Sequence, residues 1–242
     1  MRTPAVSVII VVKNGEKYLK QAIESVLAQS HQPSEIFVVD GKSTDRTYQI
    51  VKSYQNIRYI VQTKNGLANA RNTGIDNAKG ELIAFLDHDD CWPENKLKVQ
   101  INQFIHQPEI QYSYGRVKQF LEPGCKLRSG YAERLLKESQ EGRTPGTLVV
   151  RKSLFNQVSN FNSKFIIGCD VEWFTRVKDY KIPFKYTNEI LLYKRIHDTN
   201  LSRNVHLNRK ELFQIVQQSL KRQRLVNGQH TLYIKESESG GG

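Results

Sequence analysis

The most reactive-looking stretch of the chain is a group of carboxylates at the end of an apolar segment. Residues 82–86 are apolar, and Asp87, Asp89 and Asp90 follow at once, with His88 between the first two. Like charges this close repel one another unless a cation or a phosphate–metal unit holds them. Because Asp87 and Asp89 are two residues apart, both side chains point to one side of an extended loop. Taken alone, the pattern favours a divalent-metal site and a solvated acidic loop about equally.

A second carboxylate stands in the same relation to a strand. Asp40 directly follows the short apolar segment 36–39. The carboxyl ends of parallel strands lie on one rim of a sheet, where ligands bind, so we expect Asp40 and the 87–90 cluster on the same rim. Mg²⁺ and Mn²⁺ typically use one or two carboxylates together with phosphate oxygens, which suits a nucleoside diphosphate.

Three further residues have competing interpretations. Arg71 lies in a small-residue helix, where a solvated arginine is favoured over one that contacts a base or phosphate. Asp170 follows Gly168 at a predicted helix start, so it is either an N-cap or a general base. His197 comes after a strand, and its spacing favours a surface histidine over a phosphate or metal contact.

The elements that must position these residues alternate regularly in the first half of the chain. Apolar β-branched segments alternate with segments of helical periodicity, which predicts an α/β fold with a doubly wound, mostly parallel sheet. The predicted strands span residues 6–12, 36–39, 57–61 and 82–86, and the helices between them span 18–27, 48–54 and 67–78.

The second half is less regular. Residues 122–146 are rich in Gly, Pro and charge and are predicted to form a mobile loop. The predicted strands are 112–121, 147–150 and 184–193, and the predicted helices are 152–158, 168–177 and a basic amphipathic helix at 205–226. Residues 236–242 are predicted to be a disordered end.

Composition narrows the class of protein. The 242 residues are 38% hydrophobic and 25% charged, as in an ordinary globular protein. We expect neither a signal peptide nor a transmembrane helix, and the three scattered cysteines fit a reducing cytosol. The net charge of +12 is compatible with nucleic acid, an anionic membrane or an anionic substrate. Dinucleotide-binding, P-loop, nucleophile-elbow and zinc-protease motifs are absent from the sequence.

Several motifs in a fixed order resemble those of the family 2 glycosyltransferases, which have the GT-A fold. The resemblance is continuous over about residues 5–105 and looser over 151–161, 168–176 and 193–202. The motifs are Val6-Ser7-Val8-Ile9-Ile10, Ser25-Val26-Leu27-Ala28-Gln29-Ser30, Val38-Val39-Asp40-Gly41-Lys42-Ser43-Thr44-Asp45, Ala70-Arg71-Asn72-Thr73-Gly74-Ile75 and Phe85-Leu86-Asp87-His88-Asp89-Asp90.

The resemblance implies an inverting transfer of a sugar from a nucleotide-sugar, usually a UDP-sugar, with Mg²⁺ or Mn²⁺. It assigns Asp89 as the direct metal ligand, with Asp87 close to the metal, the sugar and the ribose. It assigns nucleotide contacts to Val11, Asp40 and Arg71. The metal would offset the charge that develops on the departing diphosphate.

On the acceptor side, the resemblance implies that Asp170 is the catalytic base. Two departures bear on this assignment: Gly41 stands where many members have a second Asp, and Cys169 stands where Glu often precedes the base. The motif and membrane helices of processive synthases are missing, which favours single additions. A metal-dependent nucleotidyltransferase and a catalytically degenerate, transferase-like binding protein remain the alternatives.

The expected organisation follows. Residues 1–110 form the nucleotide-sugar-binding half, residues 111–202 the half that binds the acceptor and carries the base, residues 203–235 a basic helix, and residues 236–242 a tail. We expect a cytoplasmic enzyme of cell-wall or exopolysaccharide synthesis, acting on a glycan or lipid-linked acceptor and not on nucleic acid. Residues 203–226 either contact the inner face of the membrane or form a solvated surface helix.

Overall fold

A computed structural model describes residues 2–127, 133–200 and 205–239. Its core is an eight-stranded sheet with helices packed on both faces. The strands are β1 Val6–Val12, β2 Glu35–Asp40, β3 Ile57–Val61, β4 Leu82–Asp87, β5 Tyr112–Leu121, β6 Gln140–Glu141, β7 Val149–Arg151 and β8 Phe184–Ile196. The helices are α1 Leu19–Leu27, α2 Thr47–Lys52, α3 Leu67–Asn77, α4 Lys96–His106, α5 Arg134–Lys137, α6 Leu154–Val158, α7 Cys169–Asp179 and α8 Val205–Ser239.

The sheet order is β3-β2-β1-β4-β7-β5-β6, and β8 pairs with β5. Strands β3, β2, β1 and β4 are parallel, as expected for a doubly wound half, and β7 joins them antiparallel to β4 and β5. A single sheet therefore crosses the predicted boundary between residues 110 and 111. The architecture confirms the predicted α/β fold with a mostly parallel sheet.

The core lies in two layers because β1 is covered on both faces. Every residue of β1 is buried. Ile9 and Val11 face the layer formed with α3, α6 and α7, whereas Val8 and Ile10 face the layer formed with α1, α2 and α4. Continuous apolar sequence is what a strand buried on both sides requires.

The structure contains elements that the sequence did not predict. Helix α4 was not predicted, although Leu97, Ile101 and Phe104 form a buried stripe at helical spacing. The predicted loop at 122–146 holds α5, β6 and a 3-10 turn at Pro145–Thr147, and its residues 128–132 lie outside the described part of the chain.

The first four residues of the predicted disordered end lie within helix α8. Helix α8 continues through Ser239, because no Gly or Pro interrupts the sequence between Gly228 and the glycines that begin at residue 240. Residues 203 and 204 of the predicted basic helix, and residues 240–242 of the predicted tail, lie outside the described residues.

Gly74 brings α3 close to β1. A Cβ atom at this position would lie 2.4 Å from Cγ2 of Ile9, a side chain that is fully buried in the sheet. The absence of a side chain at residue 74 therefore sets the distance between the helix that carries Arg71 and the strand at the centre of the sheet.

We expect Gly74→Ala to destabilise the protein. Overpacking of a core costs about 1–3 kcal/mol, which outweighs the roughly 0.5–1 kcal/mol that Ala gains over Gly in a helix. Urea denaturation measures the difference. The matched control is Asn77→Ala, an exposed position on the same helix, and equal stability of the two variants would contradict the close-packing argument.

Candidate active site

The register of the sheet places two of the predicted carboxylates on either side of β1. Val11 pairs with Asp87 of β4 and with Val39 of β2, and Val12 pairs with Asp40. Asp40 and Asp87 therefore end the two strands that flank β1, on one rim, as the sequence predicts. The backbone carbonyl of Val11 accepts a hydrogen bond from the His88 N–H.

Asp40 is held by a fixed set of donors. Its Oδ1 accepts hydrogen bonds from the backbone N–H of Ser43 at 3.0 Å and from the Ser43 hydroxyl at 2.6 Å. The Tyr59 hydroxyl donates to Oδ2. Burial, with this carboxylate beside it, raises the pKa of Tyr59, so the phenol stays a donor. Asp40 itself is 1% exposed, and its orientation is set before any ligand binds.

Arg71 is buried at the centre of the rim, so the favoured interpretation of a solvated helix arginine is wrong. Its Nη2 donates to Asp87 Oδ1 at 2.9 Å, and its Nη1 donates to Cys169 Sγ at 3.4 Å. Burial alone would lower the pKa of Arg71, but the charge and hydrogen bond of Asp87, together with the nearby Cys169 and Asp170, outweigh burial and raise it, so the guanidinium stays protonated. Arg71 thus joins the end of β4 to the start of α7.

Asp89 belongs to a second hydrogen-bonded group that includes His197. The His197 Nε2 lies 2.9 Å from Asp89 Oδ2, and the Asn200 amide donates to the same oxygen at 3.3 Å. The Thr199 N–H donates to His197 Nδ1, so the proton of a neutral ring lies on Nε2 and points at Asp89. His197 is 6% exposed, and the favoured prediction of a surface histidine is therefore wrong.

The acidic turn is also fixed by Arg195 of β8. The Arg195 backbone N–H donates to Asp90 Oδ1 at 2.9 Å, and its Nε donates to the carbonyl of Asp89 at 3.0 Å. Its other guanidinium nitrogens donate to Glu122 and Gln21. Burial raises the pKa of Asp90. At Asp89 burial acts in the same direction, but the hydrogen bond from His197 and the charges of His88 and His197 together outweigh it and lower the pKa of Asp89.

Asp170 lies in the first turn of α7, next to Arg71. Burial raises the pKa of Asp170, and the positive charge of Arg71 opposes the shift. The loop before it is fixed by Glu211 of α8. The Glu211 carboxylate accepts hydrogen bonds from the backbone N–H groups of residues 166, 167 and 168 at 2.7–3.0 Å. Helix α8 therefore positions the residue that resembles the base.

Sequence reasoning missed Lys194 in β8. Burial would lower the pKa of Lys194, but the nearby carboxylates raise it, and the largest of these effects comes from Asp90. Asp87, Asp170 and Asp89 act in the same direction. One ammonium thus offsets repulsion among the carboxylates that the sequence placed on the rim. In the sequence, only the position of Lys194 within the loosely matching motif at 193–202 pointed to a role for it.

The carboxylates suit a metal that also binds phosphate. Among the described residues, no group of three or more His, Cys, Asp or Glu side chains is arranged to hold a metal ion by itself. Arg71 engages one oxygen of Asp87, and His197 and Asn200 engage one oxygen of Asp89. Hard carboxylate oxygens completed by phosphate oxygens are the ligand set of Mg²⁺ or Mn²⁺, so the residues fit this cofactor.

The departure at Gly41 leaves a polar side chain beside the backbone. A Cβ atom at residue 41 would lie 3.3 Å from Gln62 Nε2 and 3.2 Å from Lys13 Cβ. Gln62 is 4% exposed, and its Oε1 has no hydrogen-bond partner among the described residues. The carboxamide of Gln62 is therefore a polar group next to the position where the resemblance leads one to expect a second carboxylate.

We expect Arg71→Lys to destabilise the protein by about 1–3 kcal/mol, because an ammonium cannot reproduce a planar fork that contacts two groups. Urea denaturation measures the loss. Arg58→Lys is the matched control, since the Arg58 side chain is 53% exposed beside Glu35. A double-mutant cycle with Asp87→Asn should give a coupling energy above about 0.5 kcal/mol, and strict additivity would contradict the contact.

The chain is similar in sequence to known glycosyltransferases. The family model described as "Glycosyl transferase family 2" matches residues 7–162. An uncharacterized glycosyltransferase of Rickettsia typhi is 32% identical over 225 residues, which cover 88% of this chain and 70% of the relative. The chondroitin synthase of Pasteurella multocida is 26% identical over 98% of this chain, but the match covers only 25% of the synthase.

Solved structures have the same fold. Crystal structures of S. aureus TarS 1–349 match with a TM-score of 0.71 for the complex with UDP-GlcNAc and 0.62 for the complex with UDP. The match to the UDP-GlcNAc complex is 21% identical and covers 90% of this chain and 66% of the TarS chain. The match to the UDP complex is 22% identical and covers 79% of this chain and 60% of the TarS chain.

No helix within the described residues is long and apolar enough to cross a membrane.

Proposed function

Because the chain belongs to the family 2 glycosyltransferases and has their GT-A fold, we propose that it transfers a sugar from a UDP-sugar to a hydroxyl group. The acceptor is a glycan or a lipid-linked glycan, as in cell-wall or exopolysaccharide synthesis, and the anomeric carbon is inverted. The supporting observation is the rim itself, where Arg71 lies between Asp87 and the α7 segment that carries Asp170.

The proposed donor half lies at the ends of β1, β2 and β4. By resemblance to the family, Val11, Asp40 and Arg71 would contact the nucleotide, and Asp40 is already oriented by Ser43 and Tyr59. Asp87 and Asp89 would hold Mg²⁺ or Mn²⁺, which offsets the charge of the departing diphosphate when bound. His197 and Asn200 orient Asp89 for this task.

The proposed acceptor half centres on Asp170. Its carboxylate accepts the proton of the acceptor hydroxyl while the oxygen attacks the anomeric carbon from the side opposite the diphosphate. One in-line displacement needs a single base and inverts the configuration. Burial raises the pKa of Asp170, which makes it a stronger base than an exposed aspartate.

We expect Asp89→Ala to lose metal-dependent donor binding. The wild-type chain should be stabilised against heat by UDP with Mn²⁺, and the variant should bind UDP at least about tenfold more weakly. Differential scanning fluorimetry with a panel of nucleotide-sugars also identifies the donor. Glu109→Ala, an exposed acidic position away from the rim, is the control. Equal stabilisation of both variants would remove Asp89 from the metal site.

We expect Asp170→Asn to keep UDP binding and to lose transfer by about 10²–10⁴-fold, the usual contribution of a general base. In the wild type, kcat/KM should fall as pH drops through a pKa above about 3.9, since protonated Asp170 cannot accept a proton. Product configuration by NMR tests inversion. Transfer at the wild-type rate by the variant would rule out this base.

A further inference from the structure

Helix α8 is fixed to the body of the protein by one face only. Ile215 is 2% exposed, and Glu211 accepts the three backbone hydrogen bonds from residues 166–168. Further along the helix, Ser219 and Arg222 donate to Asp179 of α7 at 2.9 Å each. These contacts set which side of α8 faces the solvent.

The side of α8 next to this docked face exposes an apolar stripe. Leu212, Phe213, Val216 and Leu220 are 53%, 64%, 48% and 50% exposed, and their spacing puts them on one side of the helix. We call these four residues the outer stripe. Contiguous apolar side chains exposed in this way mark a surface that binds something.

The charges beside the outer stripe are all positive. Within residues 207–225 the single acid is Glu211, and it is buried against the loop before α7. The exposed basic residues on this segment are Arg209, Lys210, Lys221 and Arg224. An apolar stripe flanked by cations is complementary to lipid acyl chains beneath anionic head groups.

We propose that the outer stripe docks on an anionic lipid surface, with α8 lying in the plane of the head groups. Nucleic acid is a poorer fit, because single-strand binding relies on aromatic stacking and Phe213 is the only aromatic residue in the segment 207–225. The outer stripe includes none of the residues of the rim, and docking requires no sugar transfer.

Docking would also constrain the site. Glu211, on the inner face of α8, holds the backbone that leads into Asp170. A helix bound in the head-group plane would therefore keep α7 at a fixed height above the bilayer, where the hydroxyl of a lipid-linked acceptor would be presented. This consequence rests on the proposed function, whereas docking itself does not.

Vesicle flotation with the full chain tests the proposal. Vesicles of phosphatidylcholine with phosphatidylglycerol are compared with vesicles of phosphatidylcholine alone, at about 50 mM and about 500 mM NaCl. The wild type should float with the anionic vesicles at low salt. Phe213→Gln with Leu220→Gln should weaken binding at least about tenfold, because two apolar side chains no longer insert. The matched apolar control is Leu27→Gln, an exposed position on α1.

Two double variants with the same change in net charge distinguish binding by this face of α8 from general adsorption of a basic protein to anionic vesicles. Lys221→Glu with Arg224→Glu should weaken binding by about 25-fold or more, at about fivefold for each cation lost near the surface. Lys52→Glu with Lys98→Glu changes the net charge equally at exposed positions on α2 and α4, and should bind within about twofold of the wild type after the same salt correction. Circular dichroism checks that each variant is folded.

Three outcomes would overturn the proposal. The wild type could stay unbound at low salt, or all variants and controls could lose binding equally, which indicates adsorption by net charge. Alternatively, sedimentation could reveal a dimer that the Phe213→Gln/Leu220→Gln variant abolishes, which would assign the stripe to a second copy of the chain. Because the readout is vesicle binding, a failed transferase assay leaves this result unaffected.

Discussion

The guanidinium of Arg71 is the contact on which the geometry of the rim depends. It lies with almost no solvent exposure between Asp87, at the end of β4, and Cys169, at the start of α7. Burying a charge without a partner costs about several kcal/mol, because the ion loses its contacts with water. The charged pair with Asp87 offsets that cost, so the sheet edge and the α7 segment must stay close together for Arg71 to keep its contacts with Asp87 and Cys169.

Charge balance explains the other contacts at the rim. Four carboxylates lie close enough to repel one another: Asp87, Asp89, Asp90 and Asp170. Two cationic side chains of β8 offset that repulsion. Lys194 interacts with all four carboxylates, and Arg195 binds the turn through the backbone of Asp89 and the side chain of Asp90. Strand β8 therefore supplies the cations that stabilise the acidic turn, just as α3 supplies the arginine that pairs with Asp87.

The two departures from the family pattern have local physical consequences. Burial raises the pKa of the Cys169 thiol to about 11, so Cys169 is a neutral acceptor for Arg71. The charge of Arg71 is then balanced chiefly by Asp87 and Asp170. At the other end of the rim, Gly41 has no side chain, and the backbone carbonyl of Val12 and the carboxamide of Gln62 lie close to the position that a Cβ atom would take. Both positions therefore have polar neighbours within the rim.

Much of this protein was determined by the sequence alone. Apolar strands alternate with amphipathic helices, and this local periodicity was enough to predict the first four strands and the doubly wound half. The positions of Asp40 and Asp87 at strand ends placed both on one rim, because parallel strands end together. Ordered motifs indicated the family, although the roles of the individual site residues stay predictions.

Only the tertiary structure decided how the remaining groups combine. His197 and Lys194 are far from the acidic cluster in sequence, and β8 brings them beside it by pairing with β5. Arg71 has the sequence context of a solvated helix residue, and it is buried because Asp87, Cys169 and Phe161 lie against it. Glu211 resembles an ordinary helix acid until α8 docks on α7. Burial and long-range pairing are properties of the packed chain, and no local pattern specifies them.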